Sequence, residues 1–208
     1  IMENLMGIKR TNGSNQKGKK PLLINELKQL INAIHQSNEK DKRKTRDKAL
    51  VLIGFSGGFR RSELVNIEYE DLEFVSEGVK IFVKRSKTDQ SGEGMTKAIP
   101  FFDNEKFCPV IALKNWIEIF DLKKGKIFSI SDKSVALIIK KYASYAGLDS
   151  HRYAGHSLRS GFATSTAESG AEERNIMAMT GHKSTEMVRR YIKEANLFKN
   201  NALNKIKI

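Results

Sequence analysis

Residues 156–191 read HSLRSGFATSTAESGAEERNIMAMTGHKSTEMVRRY, and this stretch decides how the rest of the chain is understood. It carries His156, Ser157, Arg159, Gly181, His182, Arg189, Arg190 and Tyr191 among segments of helical patterning, and these polar residues do not fall at core spacings. His156 and Arg159 stand three apart at the start of a helix predicted to reach about Glu168, so they share a face. The amino end of that helix adds partial positive charge, a prepared environment for a phosphate. A second helix is predicted from about Glu172 to Thr180, closed by Gly181, with His182 in the loop after it. Ser184 then caps a last short helix, and Tyr191 lies seven residues on, two turns along the same face. Cations, two imidazoles and a phenol, with no cysteine pair or carboxylate cluster beside them, point to an anionic substrate attacked by oxygen.

The whole composition agrees with an anionic partner. The 208 residues carry a formal net charge of +13, enough chain for one large domain with a sizeable core. The charge is concentrated at the ends: residues 1–50 hold twelve Lys/Arg against five Asp/Glu, and residues 183–208 hold seven against two. Basic flanks around a near-neutral body fit either a grip on a polyanion or a pair of solvated tails. The single cysteine, Cys108, sits between Phe107 and Pro109, so a disulfide framework and a thiolate metal cage are excluded and a reducing cytoplasm is expected. No apolar run approaches the roughly 18 residues of a membrane span.

Upstream, residues 9–20 contain no apolar side chain and read as a basic linker. Leu23, Leu27, Leu30, Ile31 and Ile34 follow helical spacing, and a second helix is expected from about Thr45 to Phe55, with the polar run Asn38–Lys48 between them. Gly57-Gly58 stops it. A short third helix follows Phe59-Arg60-Arg61-Ser62-Glu63-Leu64, where Glu63 can reach back to Arg60; a plain surface ion pair would give the same pattern. Three antiparallel strands are predicted at Leu72–Phe74, Val79–Val83 and Ala98–Phe101, with Lys87 near the second turn. Pro109 opens a helix carrying Val110, Leu113, Ile117 and Phe120, with Trp116 buried at its flank. Lys126–Ile130 reads as extended, and a helix from about Lys133 to Ala146 should turn Val135, Leu137, Ile138 and Tyr142 inward. The fold class is therefore mainly α with a small three-stranded antiparallel sheet, an α+β protein.

Taken together, Gly-Phe-Arg60-Arg-Ser-Glu63-Leu, a hairpin lysine at Lys87, His156-Ser-Leu-Arg159, Gly-His182, and Tyr191 nine residues later resemble the catalytic domain of the tyrosine recombinases, the phage integrase family. The resemblance covers roughly residues 21–193. It implies a site of Arg60, Lys87, His156, Arg159, His182 and Tyr191 that cleaves and rejoins DNA through a 3′-phosphotyrosyl bond, with Tyr191 as nucleophile and no metal or cofactor. It further implies double-stranded DNA as partner, self-association on DNA in a tetrameric synapse, and a cytoplasmic, nucleoid-associated location. Residues 1–20 become a linker from an N-terminal DNA-binding domain, 21–194 the catalytic domain, and 195–208 a tail that packs on a neighbouring protomer or on its own domain. A strand-swivelling topoisomerase of type IB chemistry and a catalytically silent DNA-binding module are the alternatives.

Overall fold

The computed structural model describes residues 19–84, 94–182, 184–196 and 202–206. Helix α1 (Ile24–Gln36) lays Leu27, Leu30, Ile31 and Ile34 on the core, following the predicted stripe. Helix α2 (Asp41–Ser56) is the centre of the molecule. From Ala49 to Phe55 it is buried on every side, as a helix apolar all round must be. It begins at Asp41, before the expected Thr45, because the polar run supplies its own helical support. Arg43 pairs with Glu39 at 2.7 Å, and Asp47, buried, accepts from Tyr142 Oη at 2.9 Å and from Arg46.

After the Gly57-Gly58 turn come the short helix α3 (Arg61–Val65) and a 3₁₀ turn at Tyr69–Asp71. The sheet follows, β1 (Leu72–Val75), β2 (Gly78–Val83) and β3 (Met95–Pro100), antiparallel in the order β1-β2-β3. Strand β3 starts ahead of the predicted Ala98 because Lys97 continues the ladder opposite Ile81. Along β2 and β3 burial alternates, placing Val79, Ile81, Val83, Lys97 and Ile99 inside.

Helix α4 (Pro109–Ile119) packs along α2, and Trp116 is buried with its Nε1 donating to the Ile127 carbonyl at 2.9 Å. Phe120 falls past the helix end and is half exposed against the Trp116 ring, which corrects its assignment to the inward face. Lys126–Ile130, read as extended, meets the Ile67–Tyr69 backbone through one isolated bridge, Lys126 to Glu68, with the Ile127 amide donating to the Ile67 carbonyl at 2.9 Å, too little pairing for a ladder. Helix α5 (Asp132–Tyr145) buries Val135, Ile138, Ile139, Tyr142 and Ala143. Leu137, expected inward, is 66% exposed, since it lies about 200° around the helix from Val135.

Helices α6 (His156–Glu168), α7 (Glu173–Thr180) and α8 (Thr185–Asn196) follow, with a 3₁₀ turn at Ala202–Lys205 after them. Ser184 Oγ accepts from the Glu186 amide, the cap expected for α8. Among the described residues two apolar clusters result. The larger joins α1 to α5 with the sheet, while a small one of Ala163, Ala167, Ile176, Val188 and Tyr191 fastens α6, α7 and α8 together. Among the described residues no helix is long and apolar enough to cross a membrane.

Candidate active site

The first arginine is fixed by the turn that precedes it. Gly58 has φ +54°, and a Cβ there would stand 2.9 Å from Phe162 Cδ1, so only glycine fits this bend without strain. The bend delivers Arg60 to the N-cap of α3, where its backbone amide donates to Glu63 Oε2 at 2.9 Å and its Nη1 to Glu63 Oε1 at 2.6 Å. Glu63 is 4% exposed, so the anticipated pair is a buried brace and not a surface bridge.

Arg159 arrives from the first turn of α6 and is 1% exposed. Its Nη1 donates to the Gly58 carbonyl at 2.8 Å, which ties the second arginine to the turn that carries the first. Burial, then the nearby Arg60, lowers its pKa to about 10, and it remains a cation at neutral pH.

His182 follows Gly181, whose φ of +65° ends α7 in the left-handed conformation. Thr180 Oγ1 donates its one proton to the Ile176 carbonyl at 2.6 Å. It therefore accepts, at 2.7 Å, from Nδ1–H of His182. That leaves the Nε2 lone pair to accept from Arg159 Nη2 at 3.1 Å. Burial first, and then the charges of Arg159 and Arg60, push the imidazole pKa down to about 4, consistent with this neutral tautomer.

His156, the first residue of α6, keeps one side open to solvent. Its pKa is also lowered, by burial first and then by Arg159, Arg60 and Arg61. Its Nε2 lies 3.5 Å from Tyr191 Oη, and the Tyr191 ring, 7% exposed, sits 6.2 Å from the His182 ring. A neutral imidazole beside a phenol can take the phenol's proton, and two arginines held from behind can face an oxyanion.

Five of the six predicted residues thus converge from the start of α3, from α6, from the α7 terminus and from α8. Lys87 lies outside the described residues. Two buried groups at the site escaped the sequence reading. One is Thr180, which sets the His182 tautomer. The other is Lys97, 0% exposed, whose Nζ donates to the Gly57 carbonyl at 2.8 Å and lies 3.8 Å from Glu63 Oε2. The signal for Lys97 was its spacing of two from Ile99, which places both on one face of a strand.

Comparison with known proteins agrees with this geometry. The family model described as the phage integrase family matches residues 20–197. An integrase/recombinase xerD homologue of Selenomonas ruminantium is 47% identical over 214 residues, covering 97% of this chain and 62% of the relative. A tyrosine recombinase of Agathobacter rectalis is 30% identical over 159 residues, 75% of this chain and 50% of the relative. The chain therefore spans about half to three-fifths of the length of these relatives. Among solved structures, the XerH site-specific recombinase bound to palindromic difH substrate superposes with a TM-score of 0.70 at 20% identity, over 91% of this chain and 56% of that one. The XerA recombinase superposes with 0.68 at 20% identity, over 93% and 66%. The fold, the converging basic site and the extent of the family match all lead to one assignment: this chain belongs to the phage integrase family and forms a tyrosine recombinase catalytic domain.

Proposed function

We propose that the chain is the catalytic part of a site-specific DNA recombinase that cuts and reseals strands through Tyr191. The observation that carries this reading is the placement of Tyr191 Oη 3.5 Å from His156 Nε2, beside two arginines braced by the same Gly57–Glu63 turn. In the forward step Tyr191 Oη bonds to phosphorus and the P–O5′ bond breaks, giving a 3′-phosphotyrosyl linkage and a free 5′-hydroxyl. His156 Nε2 takes the phenolic proton. Lys87 supplies the proton that the leaving 5′-oxygen needs. A second strand's 5′-hydroxyl reverses the step, so one phosphodiester is exchanged for another without nucleotide hydrolysis.

Arg60 and Arg159 hold the non-bridging oxygens as charge develops, and loss of either should raise the barrier by about 3 to 4 kcal/mol. His182 is engaged by Arg159 in the free protein. A phosphate oxygen arriving between them accepts from Arg159, and proton uptake by the imidazole then lets Nε2 donate to the same oxygen. The partner is double-stranded DNA, gripped through backbone phosphates by the basic flanks, and the working assembly on DNA is a tetrameric synapse in the cytoplasmic nucleoid. Residues 195–208 pack on a neighbouring protomer in that assembly. Exposure of Ile206, at 59%, supports an apolar destination for this tail.

The test is a nicked duplex bearing the cognate site, incubated with the protein. The expected product is a covalent adduct on a denaturing gel that vanishes in Tyr191→Phe. An adduct that persists in Tyr191→Phe, or none from the unaltered protein, rejects the mechanism. Relaxation of supercoils without strand exchange would make it a topoisomerase instead.

A further inference from the structure

Strand β3 puts a lysine where its own alternation asks for an apolar residue. Lys97 pairs with Ile81, shares its face with Ile99 and is wholly buried, with its ammonium 4.3 Å from the Phe59 ring centroid. A buried cation costs stability relative to a well-packed aliphatic side chain, so the core has no use for it. Its contacts lead to the site instead. Nζ donates to the Gly57 carbonyl, the neighbour of the Gly58 carbonyl that receives Arg159, and faces Glu63, the carboxylate that holds both the amide and the guanidinium of Arg60.

We propose that Lys97 is a positioning residue for the phosphate clamp: by pinning the Gly57 carbonyl and facing Glu63 from behind the sheet, it fixes Arg60 and Arg159 in one relative geometry. This rests on the reading of the site as a DNA-cleaving centre. Without Lys97 the Gly57–Phe59 turn loses this fastening from β3, and Glu63 loses the cation facing it from behind the sheet. A shift of either guanidinium by about 1 Å is enough to slow phosphoryl transfer by about a hundredfold. The cations Arg60 and Arg159 oppose charge on Lys97 and Glu63 favours it. Burial is the largest influence and lowers the amine to about 7, so an anionic phosphate between the arginines relieves the repulsion that Lys97 meets.

The experiment compares Lys97→Met with the unaltered chain in two readouts. Arginine side-chain NMR of the free protein follows the Nε–H groups of Arg60 and Arg159. The expected result is a change of shift and faster solvent exchange in the variant, and unmoved signals overturn the proposal. Adduct formation is then measured on a labelled pool of duplexes nicked within a randomised central segment. Lys97→Met should keep or raise the melting temperature and bind the pool within about threefold of wild type, yet form adduct about 10- to 100-fold more slowly at saturation. An unchanged rate, or a rate that falls only in step with binding or folding, overturns it. Should Lys97→Met not fold, Lys97→Gln replaces it, with an amide that still reaches for the Gly57 carbonyl. The same arginine signals and rates then decide. A wild-type chain that yields no adduct while the arginine signals move in the variant rejects the recombinase reading and leaves the placement of Lys97 standing.

Discussion

The neutral state of His182 has a measurable thermodynamic consequence. The imidazole is held near a pKa of about 4 in the fold against 6.5 in the unfolded chain. Between these values the unfolded chain binds a proton that the folded one refuses, so stability falls as pH drops through this window and is unaffected well above it. Linkage puts the loss from this one group at about 2 kcal/mol between pH 7 and pH 5. The perturbation is His182→Asn, which cannot titrate. Urea denaturation of both proteins at the two pH values isolates the group, because carboxylates and His156 contribute alike to each and cancel in the difference. Wild type should lose about 2 kcal/mol more than the variant on acidification. Equal losses, to within about 0.5 kcal/mol, would mean that the imidazole titrates normally and that the Ile176–Thr180–His182–Arg159 chain of hydrogen bonds does not hold the tautomer assigned to it.

Two further substitutions probe the scaffold. Gly58→Ala should destabilise by about 1 to 2 kcal/mol from its left-handed backbone alone, with a further cost from the Phe162 contact, and it should slow adduct formation as the carbonyl under Arg159 moves; urea titration and the adduct assay measure both. Tyr142→Phe removes the donor to the buried Asp47 carboxylate and should cost about 1.5 to 3 kcal/mol in urea unfolding; a loss below about 0.5 kcal/mol would show that the bond adds nothing.

Much of this molecule was readable because its signals are local. Glu63 lies three residues from Arg60, and that spacing alone anticipated the ion pair. What it could not convey was burial, which depends on β3 and α6 closing over the pair from far along the chain. The start of α2 was missed for a related reason. Charged residues from Asp41 onward look like a loop, yet Asp47 is drawn inside by Tyr142, ninety-five positions away. Leu137 misled in the opposite sense, since hydrophobicity promised an inward face that the helical angle denied. Lys97 was hidden by its place and its type: it stands just before the strand expected from Ala98, where a lysine reads as solvated charge until the neighbours that enclose it are known. Thr180 was invisible because its task is to orient another side chain.

The small cluster under α8 gives Tyr191 two duties on one side chain. Its ring is part of the packing with Ala163, Ala167, Ile176 and Val188, while its hydroxyl is the atom assigned to chemistry. Deleting the whole side chain would therefore loosen the seam between α6, α7 and α8 at the same moment as it removed the nucleophile, and an inactive alanine variant would report on neither alone. Phenylalanine keeps the seam filled and subtracts one oxygen. The same sharing means that the hydroxyl's reach is governed by how firmly five residues hold a helix, so a repacking change at Val188 or Ala167, made without touching any polar group, can advance or retract the attacking oxygen.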